Sequence, residues 1–459
     1  MDIESQVREA WSAAPSAAPK GVRIPILDPA DGAALFTLPV GSAADVADAV
    51  RAARSAFDTW RTTPAAQRGA RLRDAADAVA ARADDLARLT MREMGKPFGD
   101  ALGGVEAGVG TLRQYAELGP LRGGRALNGS AGAADLMIFE PRGLVAALTP
   151  WNDPVAVACG LIGAAVVTGN TVVHKPSERA PATGWLLGEL IREHVPVWTV
   201  LGDATTGRAL IANDPDVVAH VGSSATGEWI RAHARGKVLL ENGGNDPLVV
   251  DAGVDPVWAA EQAALGAFAN AGQICVSIER IYAHEAVAEP FLDALVARAR
   301  AFEIGPLVDR RMRDAVHGQV RDAVEKGARV LCGGEVPAGP GSFYPPTVLA
   351  GCTDDMAVLT EETFGPVAPV RVVGSFDEGL RLAAGGRYGL AASVLTRDMG
   401  HAQRAWRELP VGTVKINAVF GGAPGGAAHP RGASGQGYGY GPELLDEFTY
   451  TKAVHVTAI

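Results

Sequence analysis

The chain has 459 residues, too many for one compact core, so two or more domains are expected. Its 52 acidic and 42 basic residues leave a formal net charge of −10, and such an acidic surface argues against nucleic acid and anionic membranes as partners. The 56 glycines and 29 prolines are dispersed among apolar runs, which predicts many tight turns between short elements of a folded chain.

The opening residues, MDIESQVREA, are polar and acidic, so no secretory signal is expected. The longest apolar run, VAVACGLIGAAVV at 155–167, has the length of a buried helix and is too short to span a bilayer. The chain therefore reads as soluble and cytoplasmic. Its four cysteines lack zinc-ligand spacing, and reduced thiols with no metal site are expected. Cys159, Cys332 and Cys352 lie in apolar or glycine-rich surroundings, as small core residues do. Cys275, between Gly-Gln and an apolar strand, has a different neighbourhood.

In chain order, 43–117 reads as helical. ADVADAVRAARSAFDTW repeats apolar residues at helical spacing, the amphipathic segment 72–94 stops at Gly95, and a third helix is expected over 104–118. Residues 122–141 lose the helical pattern and contain Asn128-Gly129, a hairpin turn signal, and an exposed hairpin there suggests an oligomer arm. From Gly143 the runs LVAALT, TVVHK, VWTVLG, VVAHVG and KVLLE each precede a helix candidate, which predicts a parallel sheet covered on both faces. The alternation continues in PLVVD, a helix over 256–272, RIYAHE, two helices to about 326, then RVLCGG, VAPVRVV, AASVLT and TVKIN, as a second α/β domain. A glycine-rich loop over 421–441 and a final edge strand, EFTYTKAVHVTAI, end the chain.

Ligands of parallel sheets bind at the carboxyl ends of the strands. In the first sheet those ends carry TPWNDP, KPSE, GDATTG, VGSSATG and ENGG, more polar and glycine punctuation than packing alone explains. The proline turn in KPSE is expected to point Lys175 and Glu178 outward. Such a pair can hold the hydroxyls of an adenosine ribose, and a carboxylate there repels a 2′-phosphate, which favours NAD over NADP. Taken alone, the pair also fits a surface ion pair at a helix start. The glycines of GDATTG and VGSSATG permit close approach of phosphates to backbone N–H groups, with Ser223 capping or donating, although each motif alone fits an ordinary turn. Asn152 carries an amide that can donate to an oxyanion. Asp153, before Pro154 and an apolar helix, reads as an N-cap. Glu241 and Cys275 lie 34 residues apart, about one strand-helix unit, and read as a general base and its nucleophile; a buried inert cysteine is the plainer alternative.

Together EMGKP, PWNDP, KPSE, VGSSATG, ENGG, GQICVSIER, EETFGPV and YGLAASV resemble, in order and spacing, the aldehyde dehydrogenase superfamily along essentially the whole chain. The resemblance implies an α/β fold with a Rossmann-like cofactor domain (1–121 and 142–242), an α/β catalytic domain (243–427), a small β oligomerisation arm (122–141 and 446–459) and a connecting loop (428–445). It implies Cys275 as nucleophile, Glu241 as general base, and Asn152 with the Cys275 N–H as oxyanion hole. Cofactor contacts fall to Thr149, Pro150, Trp151, Lys175, Glu178, Gly202, Gly207, Gly222, Ser223, Gly243, Glu362 and Phe364. Substrate contacts fall to Asp153, Val157, Gly160, Ile274 and Val276. The implied reaction is NAD-dependent oxidation of an aldehyde to an acid through a thioester, in a homodimer or homotetramer. Acyl-transferring or esterase-like use of the same cysteine, and a silent nicotinamide-binding relative, are the alternatives.

The chain departs from the family pattern at Asn242, Ala204 and Val221, in the tail PRGASGQGYGYG, and at Asp153, where relatives carry an aromatic residue in the substrate tunnel. Asp153 with the small Val157 and Gly160 implies a wide, partly polar tunnel for a hydroxylated or amino-bearing aldehyde, a reading that competes with the helix cap.

Overall fold

The structure, a computed structural model, describes residues 2–13, 23–422 and 426–457. Helix α1 (Ile3–Ala13) and the antiparallel pair β1 (Arg23–Leu27) and β2 (Ala34–Pro39) lead into α2 (Ala43–Thr62), α3 (Ala65–Ala81), α4 (Ala83–Met94) and α5 (Phe98–Leu121). The segment expected as one helix over 72–94 is two, because the chain bends at Arg82 (φ −118°, ψ 24°) so that α3 and α4 both pack along α5. Helix α5 starts earlier than 104, its apolar repeat being masked by Gly99 and Gly103.

Strands β3 (Arg125–Leu127) and β4 (Ala133–Pro141) form the expected hairpin. Asn128-Gly129 does not make a two-residue turn there, because pairing stops at Leu127 and Asp135, and 128–132 closes as a longer loop in which Ala133 N–H donates to the Ser130 carbonyl at 3.1 Å.

The first parallel sheet follows as β5 (Leu144–Thr149), α6 (Pro154–Val167), β6 (Thr171–Pro176), α7 (Pro181–Arg192), β7 (Val197–Thr199), α8 (Ala204–Ala212), β8 (Val217–Val221), α9 (Ser224–His233) and β9 (Lys237–Glu241). Side chains alternate across a strand, so each face needs its own cover. Val145, Ala147, Val172 and Leu239 pack under α5, α6 and α7, while Leu144, Ala146, Val173 and Leu240 pack under α2, α8 and α9.

The second sheet contains β10 (Asp246–Val250), α10 (Pro256–Phe268), β11 (Ile278–His284), α11 (Glu285–Ala301), α12 (Arg310–Glu325), β12 (Arg329–Cys332), β13 (Thr347–Ala350), the one-turn α13 (Ala357–Thr360), β14 (Val367–Val373), α14 (Phe376–Ala383), the two-residue β15 (Tyr388–Gly389), which lies outside the sheet, β16 (Ala391–Leu395), α15 (Met399–Glu408) and β17 (Thr413–Ile416). Its order is β12-β13-β14-β11-β10-β16-β17, parallel except for β12. β13 has no counterpart in the sequence reading, since TVLA is too short to show a period.

The glycine-rich tail is not simply a loop among its described residues; 423–425 lie outside them. β18 (Arg431–Gly432) pairs with β15, and β19 (Gly435–Gln436) pairs with β9, setting Gly435 opposite Glu241. Only glycine fits there: Gly435 has φ +128°, and a Cβ would lie 1.9 Å from the Leu240 carbonyl oxygen. After α16 (Leu444–Glu447), β20 (Thr449–Thr457) pairs with β4 as the expected edge strand. Among the described residues, no helix is long and apolar enough to cross a membrane.

EMGKP explains how the two halves of the first layer lock together. Glu93 on α4 is buried and accepts from the Ala182 N–H at 2.7 Å, the Thr183 N–H at 2.9 Å and the Thr183 hydroxyl at 2.7 Å, capping α7, whose own N-cap Ala180 supplies no side-chain bond. Burial pushes its carboxyl up to about 7. Glu93→Ala strands three buried donors and is expected to destabilise the protein by about 3 kcal/mol, read as a shifted denaturation midpoint.

Candidate active site

From β5 the chain runs outward to β6 and β7, then returns to the other side of β5 for β8 and β9. The carboxyl ends therefore part between β5 and β8, and a cavity of about 700 Å³ opens there. Thr149, Pro150, Trp151, Asn152 and Asp153 line it after β5, Lys175 and Glu178 after β6, Gly207 from α8, Gly222 and Ser223 after β8, and Glu241 and Gly243 after β9. Val157, Ile274, Cys275, Glu362 and Phe364 complete the sequence-predicted set in its wall.

Three expected residues lie elsewhere. Gly202 is held to glycine by its backbone (φ +146°) and by Thr206, whose hydroxyl would sit 2.1 Å from a Cβ. Gly160 is buried inside α6, and Val276 is not part of the cavity wall.

Two local expectations are corrected. Lys175 does not point outward but is buried at the end of β6, donating to the Pro176 carbonyl at 3.2 Å and lying 3.6 Å from Glu178. Asp153 occupies the N-cap position of α6, yet makes no side-chain cap bond; its carboxylate turns to Lys96 at 3.6 Å, and burial raises its pKa. The lysine of EMGKP outcompetes the helix amides because a buried ammonium needs a counter-charge. Ser223, by contrast, does cap its helix, accepting from the Thr226 N–H at 3.3 Å.

Cys275 is placed by strained backbone. After α10 the chain forms a short turn (Ala269–Gly272) in which Asn270 (φ 50°, ψ 35°), Ala271 (φ 55°, ψ 34°) and Gly272 (φ 73°) are all left-handed, which costs roughly 1–3 kcal/mol for each non-glycine residue. Hydrogen bonds lock it. The Asn152 and Asn270 amides donate to the Gln273 carbonyl at 3.0 and 3.2 Å, the Gln273 amide returns to the Asn270 carbonyl at 3.1 Å, and Val308 N–H donates to the Gln273 side chain at 2.9 Å. One Asn152 amide hydrogen is thereby used to orient the group, leaving the second available.

Both glycines of ENGG are contact points. A Cβ on Gly243 would lie 2.1 Å from the Glu362 carboxylate, and one on Gly244 would lie 2.7 Å from the Cys275 carbonyl. Gly244 N–H also donates to Glu362 at 3.1 Å. Glu241 packs on the tail, since a Cβ on Gly439 would lie 2.1 Å from its Cγ. Burial pushes the Glu241 carboxyl up to about 8. Cys275 is pushed up to about 12, by burial first and then by the negative field of Glu241, Asp246 and Glu362. The free site thus favours a protonated thiol.

Several residues of the site lacked a role in the sequence reading. Glu279 of GQICVSIER is buried and accepts from the Thr363 and Phe364 N–H groups at 2.9 and 2.8 Å, holding Phe364 at φ +50° with its ring 5.5 Å from Trp151. Arg179 sits over Trp151 and pairs with Asp309 at 2.9 Å. His220 lines the cavity beside the Ser223 backbone, and burial pushes its imidazole down to about 4. Charged residues inside apolar stretches were the available signal for Glu93, Lys96 and Glu279; nothing in the sequence marked Arg179 or His220.

The sequence model described as "Aldehyde dehydrogenase family" matches residues 16–454. The chain is 34% identical to the non-phosphorylating aspartate-semialdehyde dehydrogenase of Halomonas elongata, over 93% of this chain and 91% of that protein. It is 33% identical to the succinate-semialdehyde dehydrogenase of Paenarthrobacter nicotinovorans, over 92% and 98%. Among solved structures, betaine aldehyde dehydrogenase from Staphylococcus aureus in complex with NAD+ superposes with a TM-score of 0.91 at 29% identity, covering 95% of this chain and 91% of that one. With a family match across nearly its whole length and relatives above 30% identity, the chain belongs to the aldehyde dehydrogenase family.

Proposed function

We propose that the protein oxidises an aldehyde to a carboxylic acid with NAD, through a thioester on Cys275. The observation that carries this reading is the meeting of Cys275, Asn152 and Glu241 in the wall of one cavity that continues into the crevice between β5 and β8.

The crevice fits a dinucleotide. Gly207 and Gly222 leave the walls open to backbone approach, the start of α9 offers N–H groups to phosphate, and Glu178 stands where a ribose carboxylate acceptor belongs, which favours NAD over NADP. Glu362 and Phe364 are held where they would meet the nicotinamide end. The bound dinucleotide supplies a cationic ring that accepts the hydride.

Cys275 attacks the aldehyde carbon as its proton passes to Glu241, the carboxylate whose charge bears most strongly on the thiol. The free Asn152 N–H and the Cys275 backbone N–H hold the oxyanion, a position already set by the bond to Gln273. Once hydride has left, Cys275 carries a thioester. Glu241 releases its first proton to solvent, then takes one from the water that hydrolyses the thioester. A water-activating carboxylate favours hydrolysis over transfer to coenzyme A. Residues 1–121 and 142–242 form the cofactor unit in this reading and 243–427 the catalytic unit, while β4 and β20, with Leu136, Tyr450 and Val456 exposed, supply an arm for a second subunit.

The test is a panel of aldehydes of varied size and charge given to the purified protein with NAD or NADP. Formation of NADH with release of free acid, without coenzyme A and faster with NAD than NADP, is expected. Cofactor binding without turnover on any aldehyde would support a silent relative instead.

A further inference from the structure

The α6 side of the cavity carries a carboxylate that neither caps its helix nor enters the reaction steps above. Asn152 donates to the Gln273 carbonyl at 3.0 Å, which sets Asn152 and Asp153 against the turn that leads to Ile274 and Cys275, and all four line the cavity. Val157 N–H donates to the Asp153 carbonyl at 3.3 Å, so the two residues stand one helical turn apart on one face, and Val157 lines the cavity too. Beside Cys275 the wall is thus apolar at Val157 and Ile274 and polar at Asp153.

Asp153 is held in place without being saturated. Lys96 Nζ lies 3.6 Å from Oδ1, beyond direct hydrogen-bond reach. Helix α5 closes over the same oxygen, since a Cβ on Gly104 would lie 2.5 Å from Oδ1 and 3.7 Å from Lys96 Nζ. Among the described residues no other side chain, and no amide of α6, is directed at the carboxylate. The side chain keeps 38% of its surface accessible, on the wall of the cavity.

Charge decides what that surface accepts. With Lys96 already opposite the carboxylate, a substrate ammonium adds a second cation beside the first, and a substrate carboxylate meets Asp153 itself. An apolar chain strips water from the carboxylate and returns no hydrogen bond, which is also unfavourable. A neutral hydroxyl replaces the lost bond with a charge-assisted one.

We propose that Asp153 selects the substrate by accepting a hydrogen bond from a hydroxyl near the aldehyde group, so that the compound oxidised here is a hydroxyaldehyde. Lys96 is the positioning residue that keeps the carboxylate on the cavity wall and off the amides of α6. This rests on the aldehyde-oxidising reading above.

The test compares lactaldehyde and 3-hydroxypropanal with propanal, which has the same carbon chain and no hydroxyl, in the full-length wild-type protein and in Asp153→Ala, Asp153→Asn and Lys96→Met. Wild type should have a higher kcat/KM for at least one hydroxyaldehyde than for propanal. In Asp153→Ala that ratio should fall about 10-fold or more, the effect of losing a hydrogen bond to a charged group, and Asp153→Asn, which keeps an acceptor oxygen, should restore part of it. Lys96→Met should lower the same ratio. Equal losses on all three aldehydes would assign Asp153 to the fold alone and overturn the proposal. A wild type that prefers propanal, the cationic 3-aminopropanal or the anionic succinate semialdehyde would overturn it as well. If no aldehyde is oxidised, the activity reading fails, and protection of Cys275 from iodoacetamide, read by mass, still decides the contact. Stronger protection by a hydroxyaldehyde than by propanal, lost in Asp153→Ala, supports it; equal protection, or none, rejects it. Should Asp153→Ala not fold, the double variant Lys96→Met with Asp153→Ala removes both charges and takes its place.

Discussion

Cys275→Ala is expected to lower aldehyde-dependent reduction of NAD by about 10,000-fold or more, the scale seen when a covalent nucleophile is removed from an intact site. The residual rate has no thioester to pass through. Affinity for NAD, followed by quenching of the protein's tryptophan fluorescence, should persist, because Glu178, Gly207, Gly222 and Ser223 in the crevice are unchanged. The strained turn should persist too, since its bonds run through Asn152, Asn270 and Gln273 and none uses the thiol. Wild-type turnover in the alanine variant would refute the assignment of the nucleophile.

Glu241→Gln separates the two halves of the reaction. Gln fills the same space against Gly439 but cannot take a proton from water, so steady-state turnover should fall by about 100-fold to 1,000-fold. If the second step is the one most impaired, one NADH per site forms in a burst and the acyl group is retained on Cys275, visible as added mass. The pH dependence carries a second signature. Burial raises the Glu241 carboxyl to about 8, so the base is protonated below that value and ionised above it. Wild-type turnover should therefore rise as pH increases through about 8, and the glutamine variant should lack that limb. An unchanged pH profile in Glu241→Gln would mean that another group activates the water.

Much of the site was legible because its chemistry depends on rare local patterns. A cysteine after Gly-Gln, a carboxylate before two glycines and an asparagine after a strand each have few structural uses, and together they led to the same cavity wall that the folded chain presents. The glycines of ENGG were readable for the same reason: each is pressed by a neighbour, Glu362 or the Cys275 carbonyl, that would strike a Cβ. Asp153 was misread because capping is decided by local sequence only where no stronger partner arrives from elsewhere. Lys96 comes from the end of α4, far off in the chain, and an ion pair at 3.6 Å in a buried setting displaced the cap. Gly202 has a reason in the fold that its motif did not show: its backbone angle and the nearby Thr206 require glycine there.

By itself the sequence determined the two parallel sheets and the helical layers that cover them, and it singled out Cys275, Glu241 and Asn152 as candidates, since hydrophobic period and side-chain chemistry are local properties. Only the tertiary structure decided which buried charges find partners. Glu93 reaches the amides of α7, Glu279 holds the strained Phe364, Lys96 draws Asp153 away from its helix, and the tail brings Gly435 and Gly439 against β9. Each of these pairings joins residues distant in the chain, and the penalty on an unmatched buried charge or donor, which selects them, exists only once the chain has closed around it.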